Sequence, residues 1–162
     1  MWTVIYAGSF DPVTEGHLSV VRQAARLFGH VVVLVAVNPE KRALFSPDER
    51  VALLSQAVAE LPNVSTAQTT GLVIDYARRV GAQVLLRGIR GASDAQFETA
   101  LAQANRELAP ELATLFLPAS AELSEISSSG LKALAREGRD LSRYCPPHVA
   151  ARLTEKLHEV KP

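Results

Sequence analysis

The chain has 162 residues, 48% of them hydrophobic, which predicts one domain spanning residues 1–162 with its own core. Its 17 basic and 17 acidic residues balance, so no overall field would draw it to nucleic acid or to a membrane, and we expect neither partner. The single Cys145 excludes an intrachain disulfide, and the absence of both a long apolar run and a signal-peptide pattern predicts a cytoplasmic protein.

The first predicted elements form a strand, helix, strand unit. Apolar β-branched runs at 4–6 and 31–37 flank a segment in which Val21, Ala24 and Phe28 recur at helical spacing. The run at 31–37 is continuously apolar rather than alternating. This pattern is typical of a strand that is covered on both faces, as in a parallel sheet.

A strong helix-start signal follows at Ser46. Ser46 is a predicted N-cap, Pro47 suits the first helical position, and Glu49 completes a capping box. We expect this helix to reach about Leu61 and the chain to return as a strand over 64–69.

The rest of the chain continues the alternation of helices and strands. We predict a helix over 73–80 ended by Gly81, a strand over 83–88, a helix over 94–108, a strand over 113–118, and C-terminal helices over 127–137 and 147–160. This order predicts an α/β fold with a doubly wound parallel sheet of about five strands. Such sheets bind ligands at the carboxyl ends of their strands, where we expect residues 8–9, 38–41 and 87–90.

The stretch GSFDPVTEGH follows the first strand and is a candidate phosphate loop. Gly8 permits close approach of the backbone to a ligand, and the next helix begins with free N–H groups. The stretch contains neither the dinucleotide fingerprint nor the Walker loop. Taken alone, His17 in this stretch is better explained as an exposed surface histidine than as a functional residue, because a titratable side chain indicates a site only when it has partners.

Two further stretches carry basic residues to the same expected edge. In RGIR, Arg87 and Arg90 can grip phosphates through forked hydrogen bonds, or can be ordinary surface arginines. In NPEKR, Lys41 can reach a phosphate, although a solvated basic loop is the commoner arrangement.

The stretch SEISSSG supplies a second candidate cradle. Ser127, Ser128 and Ser129 open a predicted helix that carries Lys132 one turn later. One serine suffices to cap a helix, so the others are available to bind a phosphate together with the free N–H groups. Charge patterning alone makes Glu98 a surface residue.

Together, GSFDPVTEGH, RGIR and ISSS resemble the phosphopantetheine adenylyltransferases of bacterial coenzyme A synthesis, in the nucleotidyltransferase superfamily marked by [HT]-x-G-H. The resemblance extends in order and spacing from Tyr6 through Leu131. It implies a Rossmann-like subunit that assembles as a homohexamer. It also implies ATP and 4'-phosphopantetheine as substrates, Mg²⁺ brought in with ATP, and coenzyme A as a feedback inhibitor.

The resemblance also implies a role for each matching position. His17 would stabilise the transition state, assisted by Lys41 and Arg90, and Ser9 would touch both substrates. The acceptor would be held by Ser9, Lys41, Val73 and Arg87. ATP would be bound by Ser9, Phe10, His17, Gly88, Ile89, Arg90, Glu98, Leu123, Ser124, Glu125, Ile126, Ser127, Ser128 and Ser129.

Two departures from the family pattern stand near the serines. Leu123 and Glu125 occupy positions that are commonly aromatic, and Gly130 replaces a bulky apolar residue at a cost of about 1 kcal/mol in helix propensity. Two alternatives stay open at this point. One is a transferase of the same superfamily acting on nicotinamide mononucleotide or glycerol phosphate, in which His usually replaces Thr14. The other is a nucleotide sensor without catalysis.

Overall fold

The computed structural model describes residues 2–120, 122 and 126–159. Its elements in chain order are β1 (Thr3–Gly8), α1 (Glu15–Leu27), β2 (His30–Ala36), α2 (Pro47–Ala57), β3 (Val64–Thr69), α3 (Val73–Arg79), β4 (Val84–Ile89), α4 (Ala92–Leu108), β5 (Ala113–Pro118), α5 (Ser128–Arg136) and α6 (Pro147–Glu159). The predicted order of strands and helices is confirmed. No helix in the described part of the chain is both long and apolar enough to cross a membrane.

All five strands are parallel, in the spatial order β3-β2-β1-β4-β5. The chain moves outward from β1 to β3 and then returns to the other side of β1 with β4. The switch in strand order therefore lies between β1 and β4. The predicted α/β doubly wound fold is confirmed, and its ligand-binding crevice is expected at this switch point.

Helices cover both faces of the sheet, unequally. On one face Val4, Tyr6 and the odd-numbered valines of β2 pack against α1, α2, α5 and α6. On the other face a smaller cluster joins Ile5 and Ala7 to α3 and to the turn after α4. The continuous apolar run of β2 is explained, because residues 31–35 are buried between the two layers.

Several predicted boundaries differ from the observed ones, and two of them have a clear physical reason. Helix α2 ends at Ala57 rather than near Leu61, because the chain turns at 58–60 before β3. Strand β4 continues to Ile89 rather than ending at Gly88, because its ladder with β5 extends to the pair Ile89 and Pro118. Arg87 lies within the strand, and of the two arginines in RGIR only Arg90 follows it.

Candidate active site

Three adjoining cavities line the carboxyl edge of the sheet around the switch point. The main cavity, of about 380 Å³, lies between the ends of β1 and β4 and the starts of α1, α4 and α5. The lysine cavity, of about 260 Å³, contains Lys41 and Arg87, and the basic cavity, of about 240 Å³, contains Lys41, Arg50 and Lys132. Ser9 lies in the wall of both smaller cavities. An apolar cavity of about 200 Å³ borders Arg87 from the side of α3 and α4.

Most of the predicted site residues surround these cavities. Gly88, Arg90, Glu98, Ile126 and the serines 127–129 line the main cavity together with Phe10 and His17. Val73 borders the lysine and apolar cavities, and Arg87 borders the main, lysine and apolar cavities. Ile89 is the last residue of β4 and is not in the lining of these cavities. Leu123, Ser124 and Glu125 lie outside the described residues.

His17 lies at the start of α1 and is fixed there by Thr14. The Thr14 hydroxyl accepts a hydrogen bond from the backbone N–H of His17, and the Thr14 N–H donates to Nδ1 of the ring at 3.1 Å. Because Nδ1 accepts, the neutral imidazole carries its proton on Nε2. Burial, helped by the nearby charge of Arg90, lowers the pKa of His17 to about 4. The ring is therefore a neutral hydrogen-bond donor near pH 7.

Phe10 forms the wall behind His17. Its ring meets His17 edge to face at 5.0 Å and Tyr6 at 5.4 Å between ring centroids. Its backbone has a φ of 47°, a left-handed conformation that is uncommon for a residue with a Cβ atom. Gly8 leaves little room for a side chain, since a Cβ there would lie 3.1 Å from the Phe10 ring and the ring would have to shift. The first loop is thus shaped by ring packing as well as by access for a ligand.

The two arginines of RGIR already have acidic partners. Nε and Nη2 of Arg87 donate to the two carboxylate oxygens of Glu98 at 2.5 and 2.8 Å. Nε of Arg90 donates to Asp94 at 2.9 Å. These pairs were not predicted from the sequence. The spacing of Arg90 and Asp94, four residues apart, was the available signal for the second one.

The serines of the second loop divide their tasks. Ser127 caps α5 by accepting from the N–H of Gly130 at 3.1 Å, and Ser128 donates to the carbonyl of Pro12 at 2.8 Å. Ser129 is exposed at the mouth of the main and basic cavities. The cradle predicted from three hydroxyls therefore uses two of them to hold the loop in place. A Cβ at Gly130 would lie 3.3 Å from the Ile126 side chain, so this glycine relieves a close contact.

Two charged residues that the sequence interpretation passed over organise the loops. The buried carboxylate of Asp11 accepts from the N–H groups of Leu44 and Phe45 and from Lys132, each at 2.9 Å. Arg50, only 4% exposed, donates from Nη1 to the carbonyl of Ser9 at 3.0 Å. Lys132 therefore pairs with a carboxylate in this structure.

No cluster of His, Cys, Asp and Glu that could hold a metal ion lies among residues 2–120, 122 and 126–159. Among the described residues, the acidic side chains that line the main cavity are Asp94 and Glu98, and both are paired with arginines. In the part of the chain that the structure describes, the edge of the sheet is therefore rich in donors and poor in free carboxylates. Such an arrangement binds phosphate groups and stabilises charge on them.

Comparison with known proteins identifies relatives that agree with one another. The cytidylyltransferase-like family model matches residues 5–134. The phosphopantetheine adenylyltransferase of Thiobacillus denitrificans is 45% identical over 159 residues, covering 98% of this chain and 99% of that protein. The enzyme of the same name from Heliobacterium modesticaldum is 42% identical, covering 96% and 93%.

Solved structures support the fold. A structure from Vibrio parahaemolyticus, provisionally assigned as a nicotinate-nucleotide adenylyltransferase, superposes with a TM-score of 0.72, covering 99% of this chain and 98% of that one. Its sequence identity is 20%, so the likeness concerns the fold alone. The overlap confirms the Rossmann-like arrangement expected from the resemblance.

Proposed function

The chain belongs to the cytidylyltransferase-like family and, within it, to the phosphopantetheine adenylyltransferases, and from this membership we propose how its cavities divide the two substrates. The enzyme transfers the adenylyl group of ATP to 4'-phosphopantetheine, which gives dephospho-coenzyme A and pyrophosphate in coenzyme A biosynthesis. We propose that ATP occupies the main cavity and that the acceptor phosphate occupies the lysine cavity.

One observation carries this division: Arg87 stands where the main and lysine cavities meet, with Lys41 on one side and His17 on the other. The acceptor phosphate then lies between Lys41 and Arg87, close to Ser9. The pantetheine arm extends past Val73 into the apolar cavity, whose lining of Leu72, Leu101 and Leu108 suits an uncharged chain. The ATP phosphates lie against His17, Arg90 and Ser129, at the starts of α1 and α5.

The proposed reaction is reversible attack by an oxygen of the acceptor phosphate on the α-phosphorus of ATP, with pyrophosphate as the leaving group. A phosphate monoester is largely dianionic near neutral pH, since its second pKa is about 6, so no strong general base is required. Catalysis then consists of positioning the two substrates and stabilising negative charge. The Nε2–H of His17 donates to the transferred phosphoryl group, and Arg90 with Ser129 stabilises the departing pyrophosphate.

We propose that Mg²⁺ arrives with ATP. It binds oxygen ligands and keeps several of its waters, so it needs few protein carboxylates. The pairing of Asp94 and Glu98 with arginines fits this role, because the phosphate oxygens are left as the main ligands. When bound, Mg²⁺ neutralises part of the phosphate charge.

A pyrophosphate-release assay tests the function. The protein is incubated with ATP and, in separate reactions, with 4'-phosphopantetheine, nicotinamide mononucleotide and glycerol phosphate. We expect pyrophosphate release with 4'-phosphopantetheine and with neither of the other two acceptors. Release with another acceptor would assign a different transferase of the superfamily, and ATP binding without release would favour a sensor.

We propose a homohexamer, supported by α4, in which no residue is buried and from which Phe97 and Leu108 are exposed. The mass in solution should be about six times the 17.5 kDa of one chain.

We also propose that residues 1–162 form one nucleotidyltransferase domain of a cytoplasmic enzyme. Coenzyme A, whose structure includes that of the product dephospho-coenzyme A, would inhibit the enzyme by occupying the same cavities. Inhibition competitive with 4'-phosphopantetheine would support this.

A further inference from the structure

We propose that Glu98 is a positioning residue for the acceptor: it holds the guanidinium of Arg87 in the orientation that receives the phosphate of 4'-phosphopantetheine. This inference rests on the proposed placement of that phosphate at Arg87. It gives Glu98 a role on the acceptor side, although Glu98 lies in the wall of the main cavity.

The contact between the two side chains is a forked pair. Nε of Arg87 donates to Oε2 of Glu98 at 2.5 Å, and Nη2 donates to Oε1 at 2.8 Å. Two parallel hydrogen bonds fix the plane of a guanidinium as well as its position, which a single bond does not. The pair is well shielded, since the side chains of Arg87 and Glu98 are 25% and 12% exposed.

A third hydrogen bond completes the support of Arg87. Its Nη1 donates to the carbonyl of Ala7 in the neighbouring strand β1 at 3.0 Å. A guanidinium has five N–H groups. The bonds that Arg87 makes within the described residues use three of them, which leaves one N–H on each of Nη1 and Nη2. These two donors are the ones that a phosphate can engage.

The charges of Arg87 and Glu98 also affect the site of the ATP phosphates. Arg87 lies at the junction of the main and lysine cavities, so it faces the site of the ATP phosphates as well as that of the acceptor. An unpaired carboxylate at Glu98 would repel the triphosphate, whereas the Arg87–Glu98 pair has no net charge and therefore does not repel it. Arg90 is less shielded from solvent than Arg87. Its partner Asp94 lies four residues further along the chain, and the side chain of Arg90 is 44% exposed.

The test compares Glu98→Gln with Glu107→Gln, a matched control on α4 whose side chain is exposed. Glutamine keeps the size of the side chain but replaces one acceptor oxygen by an NH₂ group that faces the donors of Arg87. We expect Glu98→Gln to raise the KM for 4'-phosphopantetheine about tenfold and to leave the KM for ATP within about twofold, as for loss of a charge-assisted forked pair. Glu107→Gln should change neither constant.

A double-mutant cycle separates positioning from a contact with substrate. If Glu98 acts through Arg87, Glu98→Gln adds nothing to the acceptor KM of Arg87→Gln, and the two effects are not additive. Glu98→Asp, which keeps the charge but ends one methylene short, should also raise the acceptor KM selectively. Glu98→Asp provides the test if Glu98→Gln does not fold.

Three results would overturn the inference. A rise in the KM for ATP alone would make Glu98 an ATP contact. A fall in the KM for 4'-phosphopantetheine would make it a competitor that the substrate must displace. Full additivity with Arg87→Gln would remove Arg87 from the effect. Failure of the proposed function is distinct, because the unaltered enzyme would then release no pyrophosphate with 4'-phosphopantetheine.

Discussion

Lys132 on α5 is ion-paired with Asp11 in the loop after β1, with 2.9 Å between Nζ and Oδ2, although the two residues are 121 positions apart in the sequence. The same carboxylate accepts hydrogen bonds from the backbone N–H groups of Leu44 and Phe45. One buried side chain therefore joins three segments: the first loop, the loop that carries Lys41, and the start of α5. These segments form the walls of the basic cavity.

Replacement of Asp11 by Asn should lower the free energy of unfolding by about 2 kcal/mol, because an amide cannot accept from all three donors and leaves Lys132 unpaired. Urea denaturation near pH 7 measures this change. Asp75→Asn is the control, since Asp75 is exposed and its ion pair spans 3.8 Å. Equal effects of the two changes would contradict the role of Asp11.

The same pair predicts a pH dependence. Burial raises the pKa of Asp11, but the hydrogen bonds from Leu44, Phe45 and Lys132 outweigh it, so the pKa lies below its usual value. The stabilisation is therefore complete above the ordinary aspartate pKa and is lost as the pH falls through the lowered one. The difference in stability between the unaltered enzyme and Asp11→Asn should shrink in acid.

Replacement of His17 by Ala should lower kcat about 100-fold while the KM for ATP changes little, because its hydrogen bond strengthens as charge develops on the transferred phosphoryl group. Steady-state kinetics with varied ATP separates the two constants. His158→Ala, at an exposed position on α6, is the control. Unchanged turnover in His17→Ala would exclude this role.

The ring of His17 should remain neutral well below pH 6.5, because its pKa is lowered to about 4 by burial and by Arg90. The unfolded chain takes up this proton first, so the contribution of His17 to stability is lost as the pH falls from 6.5 towards 4. NMR titration of the imidazole carbons measures the pKa directly. A midpoint near 6.5 would show that burial does not control the ring.

Replacement of Lys41 by Ala should weaken binding of 4'-phosphopantetheine about tenfold without changing the affinity for ATP, since an ammonium that contacts one phosphate is lost. Calorimetric titration of each substrate measures both affinities. Arg26→Ala removes a positive charge near the opposite end of α1 and serves as the control. An equal loss of ATP affinity would contradict the assignment of Lys41 to the acceptor.

Replacement of Arg50 by Met should lower the free energy of unfolding by about 1–3 kcal/mol and raise the KM for both substrates, because the carbonyl of Ser9 loses its charged donor. Ser9, which the family resemblance places in contact with both substrates, would then be displaced. Denaturation and kinetics are compared with Arg139→Met, an exposed position after α5. A raised KM for one substrate alone would place Arg50 in that substrate's site instead of behind Ser9.

Much of the fold was predictable because its signals are local. The Ser46 and Glu49 capping box, the strand limits at 64–69 and 113–118, and the stop of α3 before Gly81, with its φ of 67°, all depend on neighbouring residues. Helix α2 was overextended, since hydrophobic spacing does not reveal where a helix frays into a turn. The extra length of β4 was also missed, because the ladder with β5 sets it.

Local patterns in the amino-acid sequence are enough to predict the order of the elements. From that order it follows that the ends of the strands, with Ser9, Lys41 and Arg90 beside them, share one edge of a parallel sheet. Which charges meet at that edge depends on how the elements pack. The pairs Arg87 with Glu98 and Lys132 with Asp11 join residues 11 and 121 positions apart, and no local pattern encodes such distances. Hydrogen bonds within one turn of backbone are set by spacing, whereas partners from different elements meet only when helices pack on a common sheet.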